Sequence, residues 1–170
     1  MIIGNLKDIA AQRPKNSRLL GVDLGAKTIG LALSNESQTL ATPLETIKRT
    51  KFARDMEALG RIVREFEVGG FVFGWPVHMD GSTGPACERV RSFIDEMQNY
   101  PQELGTKPGT ELWIALWDER LSTASVDRFV ESRVDIGKKS RRGAKASGLT
   151  DKLAAQVILQ GALDYLVPST

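Results

Sequence analysis

Cysteine and histidine are almost absent from this chain of 170 residues, where Cys87 and His78 each stand alone. One thiol cannot close an internal disulfide, which fits a reducing compartment. Without a Cys/His cluster a structural zinc site is excluded, so any metal would have to be held by oxygen. Cys87, in Pro85-Ala86-Cys87-Glu88, falls in what reads as a first helical turn and is read as a packed thiol. Long apolar runs are missing too: no stretch approaches the roughly 20 residues that span a bilayer. Met1 to Asp8 carry no apolar signal core. The expectation is a cytoplasmic protein that makes no use of a membrane. Charge of one sign is also missing, because 23 Lys and Arg against 21 Asp and Glu leave a net +2. Any case for a polyanionic partner must therefore come from local charge.

What is present is ordinary for a globular domain: 41% hydrophobic and 26% charged residues. Residues 1–17 read as a polar N-terminal lead-in in which Ile3, Leu6, Ile9 and Ala10 have helical spacing. Residues 18–170 read as a single domain. Leu19 to Asp23 forms a buried strand, and Thr28 to Ser34 a second, so close behind that the two make an antiparallel hairpin. A third strand covers Leu40 to Ile47, where Pro43 implies an edge or a bulge. Phe52, Met56, Leu59, Ile62, Val63 and Phe66 then recur at three- and four-residue steps, predicting a helix over 51–67. Gly70 to Gly74 is a fourth strand, and Pro85 suits the first position of the next helix. Residues 101–110 make a Pro/Gly loop, and Leu112 to Trp117 is the fifth strand. Ser122 or Thr123 could cap the helix that follows. Residues 137–148 read as a loop, with Thr150 capping a last helix. The order βββαβαβα predicts a five-stranded mixed sheet flanked by helices, in the α/β class.

Chemistry gathers at strand ends. Asp23 closes an apolar strand, where a lone carboxylate is costly unless solvated, paired or metal-bound. Asp118-Glu119-Arg120 follows the fifth strand, again at a C-terminal end, where open α/β sheets place their sites. Asp151 is expected in the first turn of the last helix, which by itself would be only a favourable dipole partner. Packed on the first strand, that helix would bring Asp23, Glu119 and Asp151 together. Three carboxylates without imidazole or thiolate suit a hard cation, Mg²⁺ or Mn²⁺. Such ions can serve phosphodiester hydrolysis. Close by, Lys138, Lys139, Arg141, Arg142 and Lys145 form a run without an acid, read as a phosphate-binding segment. Lys27 could touch a phosphate too. In the loop before the second long helix, Trp75 could stack on a base or equally well pack the loop, and His78, which could act as a general acid or base, is read as an exposed loop histidine.

Taken in order, these segments resemble the YqgF/RuvX family. They are Gly21-Val22-Asp23-Leu24-Gly25-Ala26-Lys27-Thr28-Ile29-Gly30-Leu31-Ala32, Ala41-Thr42-Pro43-Leu44-Glu45-Thr46-Ile47 and Gly74-Trp75-Pro76-Val77-His78-Met79-Asp80-Gly81-Ser82. Asp118-Glu119-Arg120-Leu121-Ser122-Thr123 and Asp151-Lys152-Leu153-Ala154-Ala155 complete the set, which spans about residues 18–166. That family comprises bacterial RNase H-like proteins described as Holliday junction resolvases and as nucleases maturing the 5′ end of pre-16S ribosomal RNA. The resemblance implies an RNase H-like fold and a metal-dependent nuclease active in ribosome biogenesis or recombination. It implies catalytic acids at Asp23, Glu119 and Asp151, with Asp118 adjacent. His78 and Trp75 depart from the asparagine and leucine expected in the family loop. The fourth strand ends in Gly74-Trp75-Pro76 without an acid, so the second carboxylate must come from the fifth.

The expected reaction is hydrolysis of structured nucleic acid, with Asp23, Glu119 and Asp151 as metal ligands and Asp118 as an auxiliary acid. Lys27, Arg120 and the 138–145 run would hold phosphates. RNA and a four-way DNA junction both remain open as substrates, and so do monomer and homodimer. Two rivals stand beside this. Asp23-Leu24-Gly25 with Lys27 also looks like the phosphate-binding hairpin of sugar kinases, actin and Hsp70 ATPases, which generally need two such domains. A nucleic-acid-binding module that keeps the fold but cuts nothing is the other.

Overall fold

The computed structural model describes residues 1–105, 111–122 and 144–167, with side chains in the last stretch from Thr150 onward. Strand β1 (Ile2–Asn5) leads into a short helix, α1 (Leu6–Ile9), and a 3-10 turn over Ala10–Gln12. Strands β2 (Arg18–Leu24), β3 (Thr28–Ser34) and β4 (Ala41–Lys48) form an antiparallel meander. Helix α2 (Phe52–Phe66), strand β5 (Val68–Trp75) and helix α3 (Pro85–Met97) follow. Strand β6 (Trp113–Asp118) runs straight into a 3-10 turn over Glu119–Ser122, and helix α4 spans Ala144–Leu166. The six strands lie in the order β1-β6-β5-β2-β3-β4, with β1, β6, β5 and β2 running parallel.

Alternation along each strand builds two unlike faces. Leu20, Val22 and Leu24, Ile29, Leu31 and Leu33, and Phe71 and Phe73 cover one face and pack against α2 and α3. Each large side chain fully buried there contributes roughly 1.5–3 kcal/mol. The other face carries Leu19, Trp113 and Trp117 together with smaller groups: Gly21 on β2, Gly30 and Ala32 on β3, Val72 and Gly74 on β5, Ala115 on β6. Helix α4 lies against it through Ala155, Ile158, Leu159, Ala162 and Leu163. The approach is close enough that a Cβ on Gly30 would overlap the carbonyl of Asp151, and one on Gly21 would lie 2.7 Å from Leu159 Cβ. Two glutamines fix the helix along the sheet. Gln160 accepts from the Ala41 amide at 2.8 Å, and Gln156 donates to the Ala41 carbonyl at 3.1 Å. These bonds satisfy backbone groups on edge strand β4 that would otherwise face water or another chain.

The mixed α/β sheet expected from the sequence is present, enlarged by one strand. Ile2–Asn5, expected within a helically spaced lead-in, pairs instead in parallel with β6. Only Leu6 and Ile9 keep the helical role, both buried. A strand of four residues is too short for period 2 to stand out against period 3.6 in the sequence. Pro43 marks both an edge strand and a register shift, between Leu31 and Ala32 opposite it. The last helix starts at Ala144, so Thr150 lies inside it and Asp151 stands beyond the first turn. Ala144, Lys145 and Ala146 are strong helix formers and carry the helix back into the segment expected to be loop. Cys87 is fully buried, as a packed thiol should be. Among the described residues no helix is long and apolar enough to cross a membrane.

The Gly30→Ala variant should lose about 1–3 kcal/mol of stability, because the added methyl must push α4 off the sheet. Urea denaturation measures this, and an unchanged midpoint would refute the close approach.

Candidate active site

Asp23 pairs with Gly30 near the C-terminal end of β2. By alternation with Leu19 and Gly21 its side chain lies on the face that α4 covers. Burial pushes its carboxyl up from 3.8 to about 7, and the nearby charges of Glu119 and then Asp151 push the same way. All three influences oppose ionisation, so this carboxylate is held in a site that repels its own charge.

Glu119 arrives from the first position after β6, at the start of the 3-10 turn. Burial, and then the charge of Asp118, raises its carboxyl above the ordinary range. Its place depends on Gly74 at the end of β5: a Cβ there would strike Glu119 Oε1 and come within 2.7 Å of Ile158 Cδ1. Asp151 comes from α4, where its Oδ2 accepts a hydrogen bond from Thr28 Oγ1 at 2.5 Å. One residue of β3 therefore orients the acid of the last helix, and its neighbour Gly30 makes room for that helix.

Asp118 is gathered differently. Arg120 grips it from both ends, with Nη2 to Oδ2 at 2.6 Å and Nε to Oδ1 at 3.0 Å, while the Arg120 amide donates to Oδ1 at 2.9 Å. This hydrogen bonding holds the Asp118 carboxyl below its ordinary value. Asp118 therefore has a cationic partner of its own and is absent from the influences on Asp23, although its charge reaches Glu119. Lys27 is exposed at the β2–β3 turn. Lys138, Lys139, Arg141 and Arg142 lie outside the described residues, as do the side chain of Lys145 and the helix expected after Thr123. His78 is exposed, and Trp75 packs against the core with Arg91 5.5 Å over its ring.

Sequence reading named the three acids but missed the residues that bring them together. Thr28 carried a signal, since it stands in the hairpin beside Asp23. Gly30 and Gly74 could have been read as places of close backbone approach, because glycine inside a strand weakens it without such a reason.

The oxygen-only donor set fits a hard divalent cation. The Asp23 carboxyl, whose ionisation is opposed by burial and by the charges of Glu119 and Asp151, would be relieved by a divalent cation beside it. Among the described residues no three acids are already drawn together closely enough to hold an ion. They are gathered, not closed on one point.

Comparison with known proteins finds relatives along nearly the whole chain. The family described as RuvX, Holliday junction resolvase, matches residues 17–165. A relative in Rhodospirillum centenum, named "Putative pre-16S rRNA nuclease", is 46% identical over 98% of this chain and 83% of its own. One of the same name in Paramagnetospirillum magneticum is 46% identical over 92% of each chain. The solved structure of T. thermophilus RuvC in complex with Holliday junction substrate superposes with a TM-score of 0.52. It is 12% identical and covers 88% of this chain and 94% of its own. At that identity the likeness concerns the fold, a RuvC-like RNase H sheet.

The charge conflict at Asp23 has a measurable consequence without metal. With a folded value of about 7 against 3.8, the native state keeps a proton that the unfolded chain has released. Stability in chelator should therefore fall as pH rises from about 4 to about 7, then level off. The Asp23→Asn variant should lack that fall and exceed the parent at pH 8 by roughly 2–4 kcal/mol. Thermal unfolding across pH checks it, and a parent that gains stability over this range refutes the repulsion.

Proposed function

Because this chain belongs to the RuvX family, we propose that it is a nuclease that hydrolyses phosphodiester bonds in structured nucleic acid, maturing the 5′ end of pre-16S ribosomal RNA. The observation that carries the reading is the convergence of Asp23, Glu119 and Asp151 on one sheet face, with Asp23 pushed to about 7 by burial and by the other two. A buried Asp23 flanked by two further acids works against folding, whereas a divalent cation that in turn binds a phosphate calls for such a set.

Asp23, Glu119 and Asp151 would hold Mg²⁺ or Mn²⁺. When bound, such cations activate a water for attack and stabilise the departing oxygen. Thr28 keeps Asp151 turned toward the site by its hydrogen bond. Gly74 admits the Glu119 carboxylate beside the end of β5. Asp118 serves as the auxiliary acid by orienting Arg120, whose guanidinium it grips through two nitrogens. Arg120 and Lys27 then hold phosphates on either side of the acids. Lys138, Lys139, Arg141, Arg142 and Lys145 supply further phosphate contacts from the segment before Asp151.

A second reading, cleavage of a four-way DNA junction, draws on the family's own description as a Holliday junction resolvase. A two-fold junction calls for two symmetric copies of the chain, whereas trimming an RNA end does not. The substrate that is cut separates the two.

Purified protein is incubated with a pre-16S leader fragment and, separately, with a four-way junction, in Mg²⁺, in Mn²⁺ and in chelator. Metal-dependent cutting of the RNA is expected, with a loss of at least about a hundredfold in Asp23→Asn. Cutting of the junction instead selects the second reading. Tight binding without cutting in any lane leaves a binding module on a nuclease fold. Binding of the ion has its own readout: Mg²⁺ or Mn²⁺ should raise the melting temperature of the parent and move that of Asp23→Asn less.

A further inference from the structure

A stretch of basic residues outside those already named lies against the active-site hairpin. Lys48, Arg49, Lys51 and Arg54 occupy the end of β4 and the start of α2. The nearest acids along the chain are Glu45, paired with Arg61 at 3.5 Å, and Asp55, 2% exposed and bonded to the Thr50 amide at 3.1 Å. Lys48, Lys51 and Arg54 are exposed.

Their position relative to the acids is fixed by pairing. Lys48 stands opposite Thr28 in the β3–β4 ladder. Directly opposed residues share a face, so Lys48 lies on the face where Thr28 binds Asp151. The Arg49 amide donates to the Lys27 carbonyl at 2.8 Å, and its Nη1 donates to the Gly25 carbonyl at 2.9 Å. Arg49 also lies 5.5 Å over the Phe93 ring. Its guanidinium thus clamps the hairpin tip to the end of β4. The exposed cations on either side of it are left to face solvent.

Resting on the nuclease reading, we propose that Lys48, Lys51 and Arg54, continuing from Lys27, form a track for the phosphodiester backbone leading away from the acids around the hairpin tip. The occupant is the arm of the nucleic acid that flanks the cut. Contacts of this kind position the substrate without reading bases. The track would direct one arm over the β2–β3 turn while the cleavable phosphate lies at Asp23.

The test measures binding of a labelled pre-16S leader duplex and of a four-way DNA junction by anisotropy, across salt concentrations, in the Asp23→Asn background. The variant carries Lys48→Gln, Lys51→Gln and Arg54→Gln. A control carries Lys15→Gln, Arg61→Gln and Arg64→Gln, an equal change of charge before β2 and toward the far end of α2. Removing three phosphate contacts should weaken binding at low salt by at least about tenfold and flatten the slope of log affinity against log salt by about 2–3. The control should move neither as far, and Lys51→Arg should keep the parent slope. If the parent binds one probe steeply with salt and the track variant keeps its slope, or the control loses as much, the track is overturned while the nuclease reading stands. If the parent binds neither probe, both fall.

Discussion

Helix α4 rests on sheet backbone, and the site depends on that contact. A helix packed on a sheet normally stands off by the thickness of two layers of side chains. Here Gly21 and Gly30 remove one layer, so Leu159 and the Asp151 carbonyl approach strand backbone directly. The consequence is chemical as much as mechanical. Only a helix this close can put Asp151 within hydrogen-bond reach of Thr28 and within electrostatic reach of Asp23. The opposite face, filled by Leu, Ile and Phe, supplies apolar burial, so the glycines can be spared from the core. Both faces bury apolar side chains, and the α4 face also brings the acids together.

That division explains how the chain tolerates a site at odds with its own stability. A buried carboxylate flanked by two others works against folding whenever it is ionised. Alternation spatially separates the conflict from the core: Asp23 shares its face with Gly21, whereas Leu20, Val22 and Leu24 look the other way. The same logic accounts for Gly74, which surrenders a side chain so that Glu119 can occupy the space. Among the described residues, Gly30 and Gly74 are the two strand glycines that lie against acids, Asp151 and Glu119.

Most of the sheet is legible in the sequence because its long elements declare one period each. Thr28–Ser34 and Pro85–Met97 begin where the hydrophobic pattern and Pro85 place them. That Glu119 and Asp151 would lie within electrostatic reach of Asp23 could be expected only from the last helix packing on the first long strand, since each acid alone reads equally well as a turn, surface or helix-dipole residue. What failed to show was local or relational. Four residues of β1 are too few to carry a period, and their strand character comes from pairing with β6, remote in sequence. The start of α4 was obscured by Ser147, Gly148 and basic residues that read as loop but do not outweigh the packing downstream. The Asp118–Arg120 grip matches the plainer reading of the triplet, a charge cluster with Arg120 as its internal partner, although the sequence did not say which acid Arg120 would take.

The placement of cations completes the account. A guanidinium inserted among Asp23, Glu119 and Asp151 would neutralise them and leave nothing for a metal to satisfy. Among the described residues, two arginines next to the hairpin or to Glu119 are held by other partners. Arg120 is bound to Asp118, and Arg49 to the Gly25 carbonyl and the face of Phe93. The influences on Asp23 accordingly include burial and two negative charges but no positive one. Positive charge that attracts a polyanion and negative charge that gathers a cation are incompatible in one spot and necessary within one site. The hairpin carries both, with Asp23 on the face covered by α4, exposed Lys27 at its tip and exposed Lys48 beside it at the end of β4.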